Sequence, residues 1–416
     1  MNFVKRIVLI IALVLTLPLH SCSNKPGNIP DDLPQTEEIY DMNWFLKYNS
    51  EFSYIEGTDN VTAIKQGLHS DVFSNIRIYD GYLYVNFQGD TMRRLNPSTC
   101  NITAVCQKPT CFHNTKDCPF YALNPSEFKI FKNKIYFSAN KERRGESGTG
   151  WGYYVYDLEN DSISRSTAKR SDSTMFVGEV LLTSDGYQYY YDLQYDEVKD
   201  QYHYYICRYS LDSGKTDVLA EPEDGNTVLV DKIDGVLYYL DGIGFGIYHE
   251  NTGEKEQTYK GYVENAGHDG EYFYFRDEKE YLYRMPIGSS TAEQLTDFPV
   301  RYYYLTDQYI YYRIREKVII GKYEDGSDAD IESQKVFRMN KDGTGQEVVW
   351  EFKDELNNMN CDYFVVLGNY LYSKFYYWDD SIKNFVEYQN IDENGNAYLL
   401  RIDLINKKTL FIDITP

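Results

Sequence analysis

Positive charge is what this chain has least of. Its 416 residues carry 42 lysines and arginines against 64 aspartates and glutamates, a formal net charge of −22. That deficit excludes a nucleic-acid binder, because holding phosphates needs a basic face. It equally disfavours lying flat on an anionic lipid surface. Long apolar runs are scarce too. The one clear run, IVLIIALVLTLPL from Ile7 to Leu19, has thirteen residues, short of the ~20 that a membrane-spanning helix needs. No G-x-S-x-G, H-E-x-x-H or P-loop is present, and Ser166-Thr167-Ala168-Lys169 matches S-x-x-K without its companion motifs. Of the six histidines, His69, His203, His249 and His268 stand alone and read as ordinary surface or packed residues. No stretch of useful length beyond residue 68 has helical periodicity.

The N-terminus addresses the chain. Lys5 and Arg6 followed by the thirteen-residue run form a secretory signal. Leu19-His20-Ser21-Cys22 resembles the bacterial lipobox. The resemblance implies that residues 1–21 are removed, that Cys22 is lipidated, and that the protein sits in the bacterial cell envelope, anchored to the membrane from outside the cytoplasm. Residues 22–42 contain SNKPGNIPDDLPQTEE, with three prolines and almost no large apolar side chains. Such a composition stays extended, as a tether. Residues 43–67 read as two strands around Gly57-Thr58-Asp59-Asn60, closing a ring or opening an extra unit.

From residue 68 onward one phrase recurs. DGYLYVN (80–86), KNKIYFS (132–138), DGYQYYYD (185–192), DGVLYYLD (234–241), DGEYFYFRD (269–277), DQYIYYR (307–313) and GNYLYSKFYY (368–377) each place a turn pair before a tyrosine-rich strand. Each is followed by a second strand and a polar turn, as in YYVYDLEND, CRYSLDSGK or VFRMNKDGTG. Turn pairs between apolar runs are hairpin signals. Each unit of about 50 residues is thus a four-stranded antiparallel sheet, and repeated sheets of this kind make an all-β propeller. Seven blades fill 68–416, with six or eight as the neighbouring alternatives. Most of the 43 tyrosines are then packing between blades, their hydroxyls reaching the sheet edges. The repeats, through DG-x-LYY and LYR-x-N-x-DG, resemble the YWTD-like and TolB-like propellers of bacterial lipoproteins. The resemblance implies a fold and no particular activity.

With the strands of a blade labelled a to d from the centre outward, b–c loops and d-to-next-a connections share one rim, here the upper rim. The a–b and c–d turns share the lower rim. The b–c segments are long in blade 2 (138–152), blade 3 (192–203), blade 6 (314–334) and blade 7 (374–396), and short in blades 1, 4 and 5. Long loops on a rigid scaffold are where recognition usually sits. Tyr376, Tyr377 and Trp378 in blade 7 and Trp151 in blade 2 are the candidate ligand contacts. A binding or scaffold module for a glycan, peptide or envelope partner follows, with a surface hydrolase or lyase on the same face as the alternative.

The stretch CQKPTCFHNTKDC joins blade 1 to blade 2 on that same rim. Cys106, Cys111, His113 and Cys118, with Cys100 upstream, read as a Cys₃His zinc site, as a pair of disulfides of the kind exported proteins carry, or as unmodified thiols. The stretch resembles the C-x-KP-x-C-x-H cluster of one such lipoprotein group. Cys207 and Cys361, in different blades, are expected to remain thiols. Calcium is the lesser cofactor expectation, at Asp392, Asn394 and Asn396 or at Asp328, Asp330 and Glu332. The lipidation reading has a direct check. Cys22→Ala should release the protein from the membrane fraction, and continued fractionation of a processed Cys22→Ala form with membranes would contradict it.

Overall fold

The computed structural model describes residues 76–413 apart from 80–81, 88–90, 97–100, 109–110, 112–114, 116, 122, 143, 147–150, 166–180, 184, 197, 222–227, 333–334, 353–358, 361–363, 368, 374–375, 380–383 and 388–397. The signal, Cys22, the tether and the strands expected over 43–67 lie outside the described residues.

The fold is a seven-bladed β-propeller. Blade 1 comprises β1 (Ile76–Tyr79), β2 (Tyr82–Phe87), β3 (Thr91–Leu95) and β4 (Ile102–Ala104). Blade 2 follows with β5 (Leu123–Phe131), β6 (Lys134–Asn140), β7 (Trp151–Asp157) and β8 (Ser162–Arg165). Blade 3 holds β9 (Leu181–Leu182), β10 (Tyr187–Asp196), β11 (Gln201–Ser210) and β12 (Thr216–Ala220). Blade 4 is β13 (Val228–Ile233), β14 (Val236–Leu240), β15 (Gly244–His249) and β16 (Lys255–Lys260). Blade 5 is β17 (Glu264–His268), β18 (Tyr272–Arg276), β19 (Leu282–Pro286) and β20 (Glu293–Gln294).

Blades 6 and 7 depart from consecutive order. In blade 6, β21 (Val300–Leu305) and β22 (Tyr309–Ile314) are followed by a separate hairpin, β23 (Lys317–Lys322) and β24 (Asp328–Glu332). The chain then returns to the blade with β25 (Lys335–Asn340) and β26 (Glu347–Glu351). Next comes β27 (Met359–Asn360), before β28 (Phe364–Leu367) and β29 (Tyr370–Ser373) open blade 7. A second excursion, β30 (Tyr376–Asp379) and β31 (Asn384–Glu387), pairs with β27. Finally β32 (Tyr398–Asp403) and β33 (Lys408–Asp413) complete the blade.

All seven tyrosine-rich phrases fall on the second strand of a blade, as their turn chemistry predicts. The Asp234-Gly235 pair between β13 and β14 has φ of 50° and 77°, and Lys132-Asn133 between β5 and β6 has 46° and 58°. Positive φ at both central residues matches the twist of the flanking strands. The c–d turns use acids instead. Asp157 accepts from the N–H groups of Glu159 (2.9 Å) and Asn160 (3.0 Å), and Asp403 from those of Ile405 and Asn406, both at 2.9 Å. These contacts, led by the Asn160 N–H, hold the Asp157 carboxyl below the usual carboxylate range. Part of the acidic surplus is therefore turn chemistry.

The core is a series of blade interfaces. One cluster joins blade 1 (Tyr84, Met92) to blade 2 (Phe128, Ile135, Phe137, Tyr156). Others span blades 2 and 3 (Tyr136, Tyr190, Cys207, Tyr209), 3 and 4 (Tyr189, Ile206, Leu229, Tyr239), 4 and 5 (Tyr238, Phe245, Phe273, Phe275), and 5 and 6 (Tyr274, Leu282, Tyr303, Tyr312). Tyrosine hydroxyls stitch the same seams. Tyr303 donates to the carbonyl oxygen of Tyr274 at 2.8 Å and to that of Asn265, and Tyr189 donates to Glu250 at 2.6 Å. Between blades 3 and 4, Lys232 reaches Asp185 (2.9 Å) and Glu250 (3.0 Å) and lies 5.3 Å from the Tyr189 ring centroid. Burial alone would lower its pKa, but these partners raise it. The innermost strands of blades 4 and 5 are joined by Asp231 and His268, both buried. Gly270 N–H donates to His268 Nδ1 at 3.2 Å, so Nε2 carries the proton that faces the carboxylate.

Three expectations need correction. The segment 192–203 is mostly strand, because β10 and β11 extend as one long hairpin, residue for residue from Tyr187 opposite Ser210 to Asp196 opposite Gln201. Trp151 opens β7 opposite Asn140 rather than occupying a glycine-rich loop. His268 is hydrogen-bonded to buried Asp231 in the interior rather than merely packed. In blade 4 the b–c turn between β14 and β15 is short, as expected. A Cβ on Gly244, at φ 148°, would lie 1.8 Å from the carbonyl oxygen of Tyr259, so only glycine fits.

Candidate metal centre and binding rim

The blade 1–2 connection folds its cysteines together. Cys106 follows β4 and Cys118 precedes β5; both are buried, and Cys111 between them is half-buried. The three Sγ atoms lie within 4.8 Å of one another, and no disulfide joins Cys106, Cys111, Cys118 or Cys207. Around a zinc ion with Zn–S bonds of about 2.3 Å, tetrahedral sulfurs stand about 3.8 Å apart, so the trio matches one face of such a site. Soft thiolates select zinc or other soft metals.

Local backbone supports the sulfurs. Cys106 Sγ accepts the N–H of Lys108, and Cys118 Sγ that of Phe120. Both donors stand two residues past their cysteine, so each loop turns back over its own sulfur. Cys111 N–H bonds to Lys108 O at 3.1 Å and Cys118 N–H to Thr115 O at 2.9 Å, closing the turns. Arg144, from the b–c segment of blade 2, donates to the carbonyls of Pro119 (2.7 Å) and Tyr121 (3.0 Å) and stacks 4.6 Å from the Tyr154 ring centroid. Burial raises the Cys106 and Cys118 thiols, and neighbouring Cys111 pushes in the same direction. A cation among the three would remove that penalty. His113 and Cys100 lie outside the described residues. Cys207, buried between blades 2 and 3, has its thiol pushed up to about 12 by burial and by Asp192, which marks it as inert.

The elaborated segments share the upper rim, as expected. The β10–β11 hairpin, the β23–β24 hairpin and the β27–β30–β31 sheet all arise between a second and a third blade strand or beside them. Tyr376, Tyr377 and Trp378 lie on β30, with Trp378 opposite Phe385 and Tyr376 opposite Glu387. The strongest new signal is exposure. Among the described residues, five of eight exposed large apolar side chains belong to this rim: Val198 and Tyr202 on the blade 3 hairpin, Ile243, Tyr262, and Ile319 on the blade 6 hairpin. The reading of the sequence missed them because single apolar residues in polar turns create no periodicity. Beside Tyr262, Arg276 is buried and pairs with Glu264 at 3.1 Å, while Glu280 takes Arg315 at 3.0 Å and Arg301 at 3.8 Å.

The calcium expectation meets a competing use of its carboxylates. Asp328 and Asp330 lie on β24 and bind Lys322 (2.7 Å) and Lys317 (2.5 Å) across the hairpin. Asp392, Asn394 and Asn396 lie outside the described residues.

No family model and no curated protein matches this chain. Among solved structures it is similar to an oligogalacturonate lyase in complex with manganese (11% identity, 80% of this chain and 85% of that one, TM-score 0.47). An oligogalacturonate lyase from Vibrio parahaemolyticus is similar at 8% identity with the same coverage and TM-score. TolB from Acinetobacter baumannii is similar at 12% identity over 64% of this chain and 61% of that one, with a TM-score of 0.38. The strand order of seven sheets, rather than these likenesses, defines the fold.

Proposed function

We propose that the protein is a lipid-anchored, extracytoplasmic propeller of the YWTD-like or TolB-like lipoprotein kind, acting as a binding or scaffold module for a glycan, peptide or envelope partner. Cys22 is its anchor and the upper rim its contact face. The observation that carries this reading is the collection of exposed Val198, Tyr202, Ile243, Tyr262 and Ile319 on the rim that also bears the inserted hairpins. Apolar and aromatic side chains gathered on one rim offer area for a partner to bury, and aromatic anchors dominate interface energies. Trp378 and Tyr376, on β30, belong to the same face.

A surface hydrolase or lyase on the same rim is the second reading. The ion-paired group of Arg276, Glu264, Glu280 and Arg315 beside Tyr262 favours it, because charged groups held near an aromatic contact can serve proton transfer or bind an acidic substrate. Arrays of glycans and peptides, probed with the parent and with a Tyr202→Ala, Tyr262→Ala, Trp378→Ala triple variant, separate the possibilities. Each true anchor should cost about 1–4 kcal/mol of affinity, with the unfolding midpoint little changed. Parent and variant binding alike would refute the rim, and product appearing on the array would select the enzyme.

We further propose that Cys106, Cys111 and Cys118 hold a structural zinc, with His113 as fourth ligand. Four protein ligands leave no position for a reacting water, so the ion clamps the blade 1–2 connection. Metal analysis of untagged protein should find about one equivalent of zinc, lost on acidification because the ligands must be thiolate and neutral imidazole. Cys111→Ser should lose the metal without unfolding the ring. Metal-free protein whose cysteines react only after reduction would contradict the site and leave disulfides.

A further inference from the structure

One device recurs on the side of a blade that faces the next. In blades 1, 3, 5, 6 and 7 a third-strand arginine lies opposite the second tyrosine of a Tyr-x-Tyr pair and stacks over the first. The distance from guanidinium to ring centroid runs from 4.4 Å, for Arg338 over Tyr309, to 5.0 Å, for Arg94 over Tyr82. In blades 3, 5 and 6 the arginine also binds an acid directly opposite on the fourth strand: Asp217 at 2.9 Å, Glu293 at 2.7 Å and Glu347 at 2.6 Å. Tyrosine, arginine and acid together fill the lower part of the seam.

Blade 2 lacks all three. Its register puts Lys134 where the stacked tyrosine would stand, Val155 where the arginine would, and Ser164 where the acid would. There, between blades 2 and 3, a cleft of about 330 Å³ opens, lined by these three residues and by Tyr136, Tyr209 and Leu211 among others. Blade 4 lacks the device too, but Val236 and Ile247 occupy its positions and pack with Ile287 of blade 5. The blade 2 cleft is therefore the space that the missing side chains would fill, and its volume is at the small end of the range for sites that hold organic ligands. We propose that it binds a small neutral sugar. This inference is independent of the upper-rim reading.

Charge around the cleft is matched, which selects an uncharged ligand. Lys134 lies opposite Asp157 in the β6–β7 pairing, and its ammonium acts on that carboxylate. Asp185 takes Lys232 of blade 4 at 2.9 Å, and Arg165 pairs with Glu146 at 3.9 Å. Lys132 and Asp212 add one charge of each sign. A charged ligand would give up its hydration here without a surplus of opposite charge in return.

The lining also offers what a sugar uses. Val155 and Leu211 are half-buried apolar walls for its C–H face. Tyr136 and Tyr209 are buried at the floor. Burial, with Asp212 adding to it, pushes the Tyr136 phenol up to about 12, so it stays protonated and can donate. Ser164 adds a hydroxyl that donates or accepts, and the Asp212 carboxylate accepts. A sugar hydroxyl both donates and accepts, so it can meet the phenol and the carboxylate at once. A few polar groups set among apolar walls are the usual composition of a small-molecule site.

Ligand-observed NMR titration of the purified full chain with glucose, galactose and N-acetylglucosamine, alongside glucuronate, tests the proposal. At least one neutral sugar should bind saturably, with an affinity that salt leaves nearly unchanged, and glucuronate should bind no tighter than glucose. A Lys134→Tyr, Val155→Arg, Ser164→Asp variant rebuilds the stacked device inside the cleft. It should keep or raise the melting midpoint and lose the sugar. Tyr136→Phe, which removes one donor and little volume, should weaken binding about threefold to tenfold, and it decides the matter if the filled variant does not fold. A Tyr262→Ala, Trp378→Ala variant of the opposite rim should bind like the parent. No saturable binding of any neutral sugar, tighter binding of glucuronate, a folded filled variant that still binds, or full affinity in Tyr136→Phe would overturn the assignment. Loss of the sugar in the opposite-rim variant would overturn it as well, by moving the site there.

Discussion

Blades 2 to 5 are each covered on both faces by their neighbours, and the rest of the structure follows from that constraint. A four-stranded sheet buried on one face alternates apolar with polar residues. Here strand β14 reads VLYYL with four successive buried residues, and β18 reads YFYFR with four. Large flat rings fill the wedge between sheets that diverge from the centre, and aromatic pairs meet across the seams, as with Tyr238 and Phe273 at 4.9 Å or Phe245 and Phe273 at 5.0 Å. Tyrosine has a further use that phenylalanine lacks. Its hydroxyl reaches polar groups of the adjoining blade, so a seam carries hydrogen bonds as well as area. The hydrogen bond of His268 to Asp231 secures the innermost strands, and Lys232 among Asp185, Glu250 and Tyr189 adds charge pairing at the lower edge.

A ring secured in this way frees its rims. The blade 6 hairpin and the small sheet beside blade 7 add strands, and the blade 3 hairpin lengthens two, while each blade keeps its four-strand sheet. The cysteine trio sits where the chain passes from one blade to the next, and it packs into the same cluster as Phe120, Phe128 and Tyr156. It therefore lies close to a seam while opening onto the elaborated rim. Apolar and aromatic side chains stand exposed on the upper rim.

Much of the architecture was legible in the sequence because a repeat states its own rule. The turn pair before each tyrosine-rich strand located all seven second strands, and the lengths between second and third strands located the elaborations. What escaped was of two kinds. Pairings set by three-dimensional approach, such as Asp231 with His268 at 37 residues' separation, leave no local mark, so His268 looked like any isolated histidine. Isolated exposed side chains such as Tyr262 and Ile319 carry no period either. At the cysteines the spacing suggested a ligand set, but only folding could show that Cys106, Cys111 and Cys118 converge to within 4.8 Å. The hairpins of blades 6 and 7 read as loops because their acidic and polar content hides short strands.

The division of labour between seams that hold the ring and rims that meet partners comes down to one comparison of denaturation midpoints. Tyr303→Phe removes a single buried hydroxyl that bonds to the carbonyl oxygens of Tyr274 and Asn265 of blade 5, and it should cost about 1–2 kcal/mol. Replacing the whole β23–β24 hairpin, residues 317–332, with a two-residue link should cost less than about 0.5 kcal/mol, as surface changes away from the core do. The reverse ranking, a tolerated Tyr303→Phe and a ring that fails without the hairpin, would contradict it.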